Sequence, residues 1–255
     1  MKLSQQSIYL ITSPNFKGRR PSWNRQAGNS VGSIVGVNPY ETPYEAYRRL
    51  RQLGPPKPQN DAMRRGKELG PYMSQVFEEA HRKRTVVLAN NPLTRRGWWV
   101  ADPKNPFFGL APKELLVRRE TGHITGGVSY YSTEEKSYEK TWKEQIPFQH
   151  IAKALVGGGL LGGLPWAISL TIYSVQQNGK KDVVIPRSMI NYALPFDREL
   201  YEKIHEQTVS WWREHMMEDA PPDKKYATNQ ELVDELLAYG NRIKRVEELP
   251  LVQGD

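Results

Sequence analysis

The order in which hydrophobic periodicities follow one another constrains this chain more than any single residue does. Two helical patterns come first. Thr42, Pro43 and Glu45 form a helix start, with a cap, a first-turn proline and a capping-box partner. Tyr44, Tyr47 and Leu50 then share one face. GPPKP at 54–58 cannot be helical. From Asp61 to Lys83 the residues Met63, Leu69, Met73, Val76, Phe77 and Ala80 recur at helical spacing, and Gly70-Pro71 is expected to kink or split that helix. Short β-rich runs follow at 85–89, 97–101 and 114–118, then a turn at 119–122 and a strand at 123–131, read together as a mostly antiparallel meander. An apolar helix is predicted over 147–161. Trp166–Val175 has the β-branched content of a buried strand, and 182–185 follows the Asn178-Gly179 turn. Amphipathic helices at 197–217 and 229–246 close the chain, the last with Thr228 as its cap. Residues 1–38 read as irregular. Helices, a central sheet and helices again make an α+β chain.

At 255 residues the chain is long enough for one large domain or two small ones. We read 1–220 as the main domain and 221–255 as a C-terminal helical extension. The absence of cysteine excludes disulfides, thiolate metal sites and cysteine nucleophiles. No apolar run reaches about 18 residues, so no membrane span is expected. The start, MKLSQQSIYLITS, lacks a signal-peptide pattern, so the expected location is intracellular, in the cytoplasm or a host nucleus. The net charge is +8 and the pI about 9.5. Basic residues cluster at 17–20, 48–51, 64–67, 82–84, 95–96 and 118–119, a balance that favours a polyanionic partner through counterion release. The five histidines show no metal spacing. GGGLLGG at 157–163 has no following Lys-Ser/Thr, so it reads as a flexible helix end rather than a phosphate loop. Of Trp98-Trp99 and Trp211-Trp212, one ring of each pair is expected in the core.

Four segments then carry a resemblance. GNSVGSIVGVNPYETPYE at 28–45 is the most specific. RGKELGP at 65–71, GLAPKELLV at 109–117 and GVSYY at 127–131 follow in order, with the Trp142 to Pro147 stretch as a weaker fifth match. Together they resemble the phage lambda-exonuclease and YqaJ-type viral recombinase family of the PD-(D/E)XK nuclease superfamily, and more distantly the viral alkaline nucleases. The resemblance covers about residues 22–175. It implies a PD-(D/E)XK nuclease-like core, a mixed central β-sheet flanked by helices. In active relatives it also implies Mg²⁺ held by carboxylates, which polarises a phosphate and activates water.

Carried over by position, the helix glutamate falls on Gly70, the hairpin aspartate on Lys113, the strand glutamate on Ser129 and the strand lysine on Tyr131. The glutamines of the following helix fall near Lys153 and Leu155. No principal ligand is kept, and an ammonium at Lys113 repels a cation. Glu68 lies about 200° around the helix from position 70, and Glu114 lies on the opposite strand face from Lys113. Asp102 is the best substitute carboxylate. Arg25 and Ser30 match family phosphate contacts, and Lys113, Arg64 and Arg65 join them as expected DNA-binding residues. The sequence therefore implies a DNA-binding member of this family without its metal or its hydrolysis. The alternatives are an active or formerly active Mg²⁺-dependent 5'–3' exonuclease with a migrated or engineered site, and a non-catalytic subunit in recombination. Expected partners are duplex DNA or DNA ends, a single-strand annealing protein and further copies of the chain.

Overall fold

The computed structural model describes residues 26–27, 30–55, 58–81, 85–87, 100–102, 105–110, 115–118, 121, 123–178 and 181–251. Arg25, Lys113, Glu114, the Trp98-Trp99 pair and the basic clusters at 17–20, 82–84 and 95–96 lie outside them. The helices are α1 (Val31–Ile34), α2 (Pro43–Leu50), α3 (Asp61–His81), α4 (Glu135–Ser137), α5 (Phe148–Leu160), α6 (Arg198–Trp211) and α7 (Gln230–Gly240). Single π-helical turns follow α4 and α6, at Tyr138–Trp142 and Trp212–Met217. The strands are β1 (Gln26–Ala27), β2 (Thr85–Val87), β3 (Val100–Asp102), β4 (Asn105–Leu110), β5 (Leu115–Arg118), β6 (Ile124–Glu134), β7 (Trp166–Asn178), β8 (Lys181–Leu194) and β9 (Lys244–Pro250).

A six-stranded sheet runs β2-β5-β6-β7-β8-β9, and β1-β4-β3 form a separate small sheet. In the larger sheet β6 and β7 are parallel and every other neighbouring pair is antiparallel. A parallel neighbour demands a crossover, and α5 supplies it. The α+β class with a mixed central sheet flanked by helices is therefore as expected. Within 85–131 the pairing is mostly antiparallel, as expected, but the meander is not continuous, because β3 pairs with β4 in the smaller sheet and β2 pairs with β5.

Each face of the large sheet has its own core. On one, Trp166, Ile168 and Leu170 of β7 pack with Ile151 and Leu155 of α5, Ile204 of α6 and Leu232 and Leu236 of α7. On the other, Leu69, Met73 and Phe77 of α3 cover Val128, Tyr173 and Met189. That second contact explains why Pro71 does not split α3. Three buried side chains contribute about 1.5–3 kcal/mol each, against about 3 kcal/mol for an interior proline. Pro71 and Lys67 also lie on the exposed face, away from the apolar contact.

The capping box at Thr42 is present in both directions, with Glu45 N to Thr42 Oγ1 at 3.2 Å and Thr42 N to Glu45 Oε2 at 2.8 Å. Asn229, not Thr228, caps α7, its side chain accepting from Leu232 N at 3.2 Å. The C-terminal region is not a helical extension. After α7 the chain turns into β9 and completes the sheet, while Leu232, Leu236 and Tyr239 enter the main core. Nor is the glycine run at 157–163 loose. A Cβ at Gly158 would lie 2.3 Å from Leu164 O and one at Gly159 2.1 Å from the Tyr201 ring, so close packing requires these glycines. Both Trp211 and Trp212 are buried.

Candidate functional site

Strand β6 organises the region where the resemblance places its chemistry. Side chains alternate across a strand. Gly127, Ser129 and Tyr131 therefore face α5, while Val128, Tyr130, Ser132 and Glu134 face α3. On the α5 side the space is filled by rings. Trp166 lies beside Gly127 in the parallel register. A Cβ at Gly127 would come 2.3 Å from the indole, and one at Gly157 of α5 would come 2.4 Å from it, so the ring is seated between two glycines. Its Nε1–H donates to Ser129 Oγ at 3.0 Å, and Ser129 is 3% exposed.

One turn of pleat further on, the Tyr131 ring lies 3.9 Å from the His150 ring, and His150 stacks on Trp142 at 5.1 Å. Lys153 Nζ sits 5.9 Å from the Tyr131 ring centre. Desolvation lowers the His150 pKa to about 3, with the neighbouring Lys153 ammonium adding to the effect, so the imidazole is neutral near pH 7. Leu155 is core.

Structure thus brings Ser129, Tyr131 and Lys153 to one face of the sheet, and Gly70 belongs to the other. α3 packs on the Val128 face, and a Cβ at Gly70 would meet nothing within 4 Å. This donor set does not fit a hard divalent cation, which seeks several oxygen ligands. Ser129 offers one neutral oxygen already engaged by an indole, Tyr131 is packed in a ring cluster and Gly70 has no side chain. Among the described residues no group of three or more His, Asp or Glu is placed to hold a metal ion. Asp102 ends β3 in the smaller sheet, paired with Asn105.

Of the three arginines expected at DNA, the two described, Arg64 and Arg65, both make ion pairs within the fold. Arg65 reaches across the sheet to Asp182 at 2.9 Å and Glu134 at 3.4 Å, its side chain only 13% exposed, so it is a tether between α3, β6 and β8. Arg64 pairs along its own helix with Asp61 and Glu68, each at 3.3 Å, which also turns Glu68 away from the sheet.

Ser30 is buried at the start of α1 and accepts from Arg49 Nη2 at 3.3 Å. Arg49 is held by Glu41 through both Nε (2.7 Å) and Nη2 (2.9 Å). Glu41 also accepts from Ser33 Oγ at 2.7 Å, and Asn38 Nδ2 donates to Ser33 Oγ at 2.8 Å. The most specific sequence motif is therefore a closed polar network.

Two features escaped the sequence. First, residues 219–229 strap the motif from outside. Asp219 pairs with Arg51 and accepts from Tyr47 Oη at 3.1 Å, Lys224 lies 5.5 Å over the Tyr44 ring, and Asn229 Nδ2 donates to Val35 O at 3.3 Å. The Tyr226 hydroxyl sits on Gly36, whose φ is +77°. No local pattern signals a contact made across some 190 residues. Second, the register aligns Tyr130, Ser169, Asn191 and Glu247 as one polar row over four strands beneath α3. Asn191 donates to Glu247 at 3.3 Å, and His81 of α3 lies 3.7 Å from the same carboxylate. The signal was the Ser and Thr at alternate positions of β7, easily lost in an apolar run.

Charge divides along the chain. Residues 1–120 carry 21 of the 36 Lys and Arg and nine of the 28 Asp and Glu, a net +12, whereas residues 121–255 carry a net −4.

No protein-family model matches the sequence, and no curated protein is significantly similar to it. Among solved structures the chain is similar to the alkaline exonuclease LHK-Exo from Laribacter hongkongensis. The identity is 14%, over 87% of this chain and 94% of that one, with a TM-score of 0.47; for LHK-Exo in complex with dAMP the TM-score is 0.48 at the same identity and coverage. No helix among the described residues is long and apolar enough to cross a membrane.

Proposed function

We propose that this chain is a DNA-binding relative of the lambda-exonuclease and YqaJ type that works without a divalent metal and does not hydrolyse phosphodiesters at the inherited positions. The observation that carries this reading is the packing of Ser129 and Tyr131. Their face of β6 is occupied by Trp166, His150 and Trp142, with no carboxylate among them. Neutral hydroxyls in a ring-filled core neither gather a cation nor reach a phosphate.

The binding half of the reading rests on charge. A net +12 in the first 120 residues is the electrostatic footprint of a phosphate-backbone partner. Contacts of this kind position a duplex without reading its bases, so affinity is expected to depend on salt far more than on sequence. Fluorescence anisotropy on a labelled linear duplex tests it. The expected result is binding at low salt whose logarithm falls linearly with the logarithm of salt concentration, equally for unrelated sequences. No binding even at low salt refutes the reading.

A further inference from the structure

Strand β9 is the outer strand of the six-stranded sheet. β8 takes one side of it, and among the described residues no strand lies on the other. An uncovered edge presents a row of backbone donors and acceptors that pair readily with another strand. The side chains along this edge carry a pattern of their own. Lys244, Arg245, Val246, Glu247 and Glu248 place two cations and two anions symmetrically about a valine. Val246 is 65% exposed, and the register with β8 shifts around it, between Arg245 and Glu247, leaving it without a β8 partner.

We propose that β9 pairs with the β9 of a second copy, forming a two-fold antiparallel homodimer centred on Val246. A two-fold axis across an antiparallel pair sets one residue opposite its own copy. With Val246 at the axis, Lys244 faces Glu248 and Arg245 faces Glu247, four attractive pairs around an apolar centre. Moving the axis one residue either way sets Arg245 or Glu247 against itself. Parallel in-register pairing sets every charge against its like. Charges on an edge strand ordinarily discourage association; in this arrangement they discourage every register but one. Arg245 pairs with Glu248 of its own strand at the surface in the single chain, and the cross-strand partners replace that contact. A cleft of about 240 Å³ lined by Tyr138, Trp142, Tyr192, Leu237 and Ile243 opens beside Arg245, and the exposed Leu237 adds apolar area at this end of the strand.

The test is a charge swap in the full-length chain, read by sedimentation equilibrium over a range of concentrations. The wild type is expected to self-associate. Lys244→Glu with Arg245→Glu sets acid against acid across the axis, and Glu247→Lys with Glu248→Lys sets base against base. Each variant alone is expected to dimerise about tenfold or more weakly, and an equimolar mixture is expected to recover association as a heterodimer. Circular dichroism melts confirm that both are folded, which matters for the second because Glu247 also holds Asn191. If that variant does not fold, Val246→Asp, which places two carboxylates at the axis, is expected to be monomeric. A monomeric wild type, a dimer that the first variant leaves intact, or folded variants that do not associate with each other overturns the proposal.

Discussion

At the scale of single residues the decisive fact is what stands where a metal site is expected. Ser129 is bonded to an indole and the Tyr131 ring lies tilted against an imidazole. Introducing the residues that the resemblance expects at these positions therefore runs against the core. Ser129→Glu and Tyr131→Lys each place a charge among Trp166, Trp142 and His150, at a cost of about 3 kcal/mol or more apiece. The combined variant with Gly70→Glu and Lys113→Asp is expected to melt well below the wild type and to gain no metal-dependent cleavage. His150 gives a second prediction at this scale. Its folded pKa is about 3 against 6.5 for the free side chain. Between those values the unfolded chain holds the extra proton, so stability falls as pH drops from about 6.5 towards about 3, and above 6.5 the residue adds no slope. Urea midpoints against pH for wild type and His150→Phe check it, with the variant expected to lose that part of the acid decline. The residues at the four carried-over positions were legible in the sequence because each is a matter of residue identity. The seating of Trp166 was not, because it depends on glycines from two elements meeting one ring.

At the scale of elements, periodicity revealed the helices and hid the connections. α2, with its capping box, and α3, α5 and α6 were visible because their apolar residues recur at helical spacing. The helical pattern of 229–246 runs on into the first residues of β9, since an edge strand with two cations and two anions about one valine has little apolar pattern to show. Most of β8 was missed as well, because Pro186 interrupts it; the sheet absorbs that residue where the β7 register shifts opposite it. Strand direction was beyond local pattern, though the helix between β6 and β7 is the physical reason that pair is parallel. The strap at 219–229 is the element with the most to test. Gly36 combines a left-handed backbone with the Tyr226 hydroxyl 1.2 Å from where a Cβ would stand. Gly36→Ala is therefore expected to cost about 1–3 kcal/mol. It is also expected to raise hydrogen exchange at 35–38 and 226–232 together, as one unit, while the amides of β7 remain protected.

At the scale of the whole molecule, a positively charged N-terminal half is joined to a slightly acidic C-terminal half that holds much of the core. The sequence showed the charge; the fold shows that Arg65 is tied to Asp182 and Glu134, while Arg64 pairs at the surface with Asp61 and Glu68. The central claim is that this molecule engages a phosphate backbone and leaves it intact. The most direct measurement incubates the pure protein with end-labelled linear duplex in Mg²⁺ or Mn²⁺ and follows both complex formation and release of label. The account predicts a salt-sensitive complex from which the duplex is recovered at full length. Metal-dependent release of nucleotides from the duplex ends contradicts it.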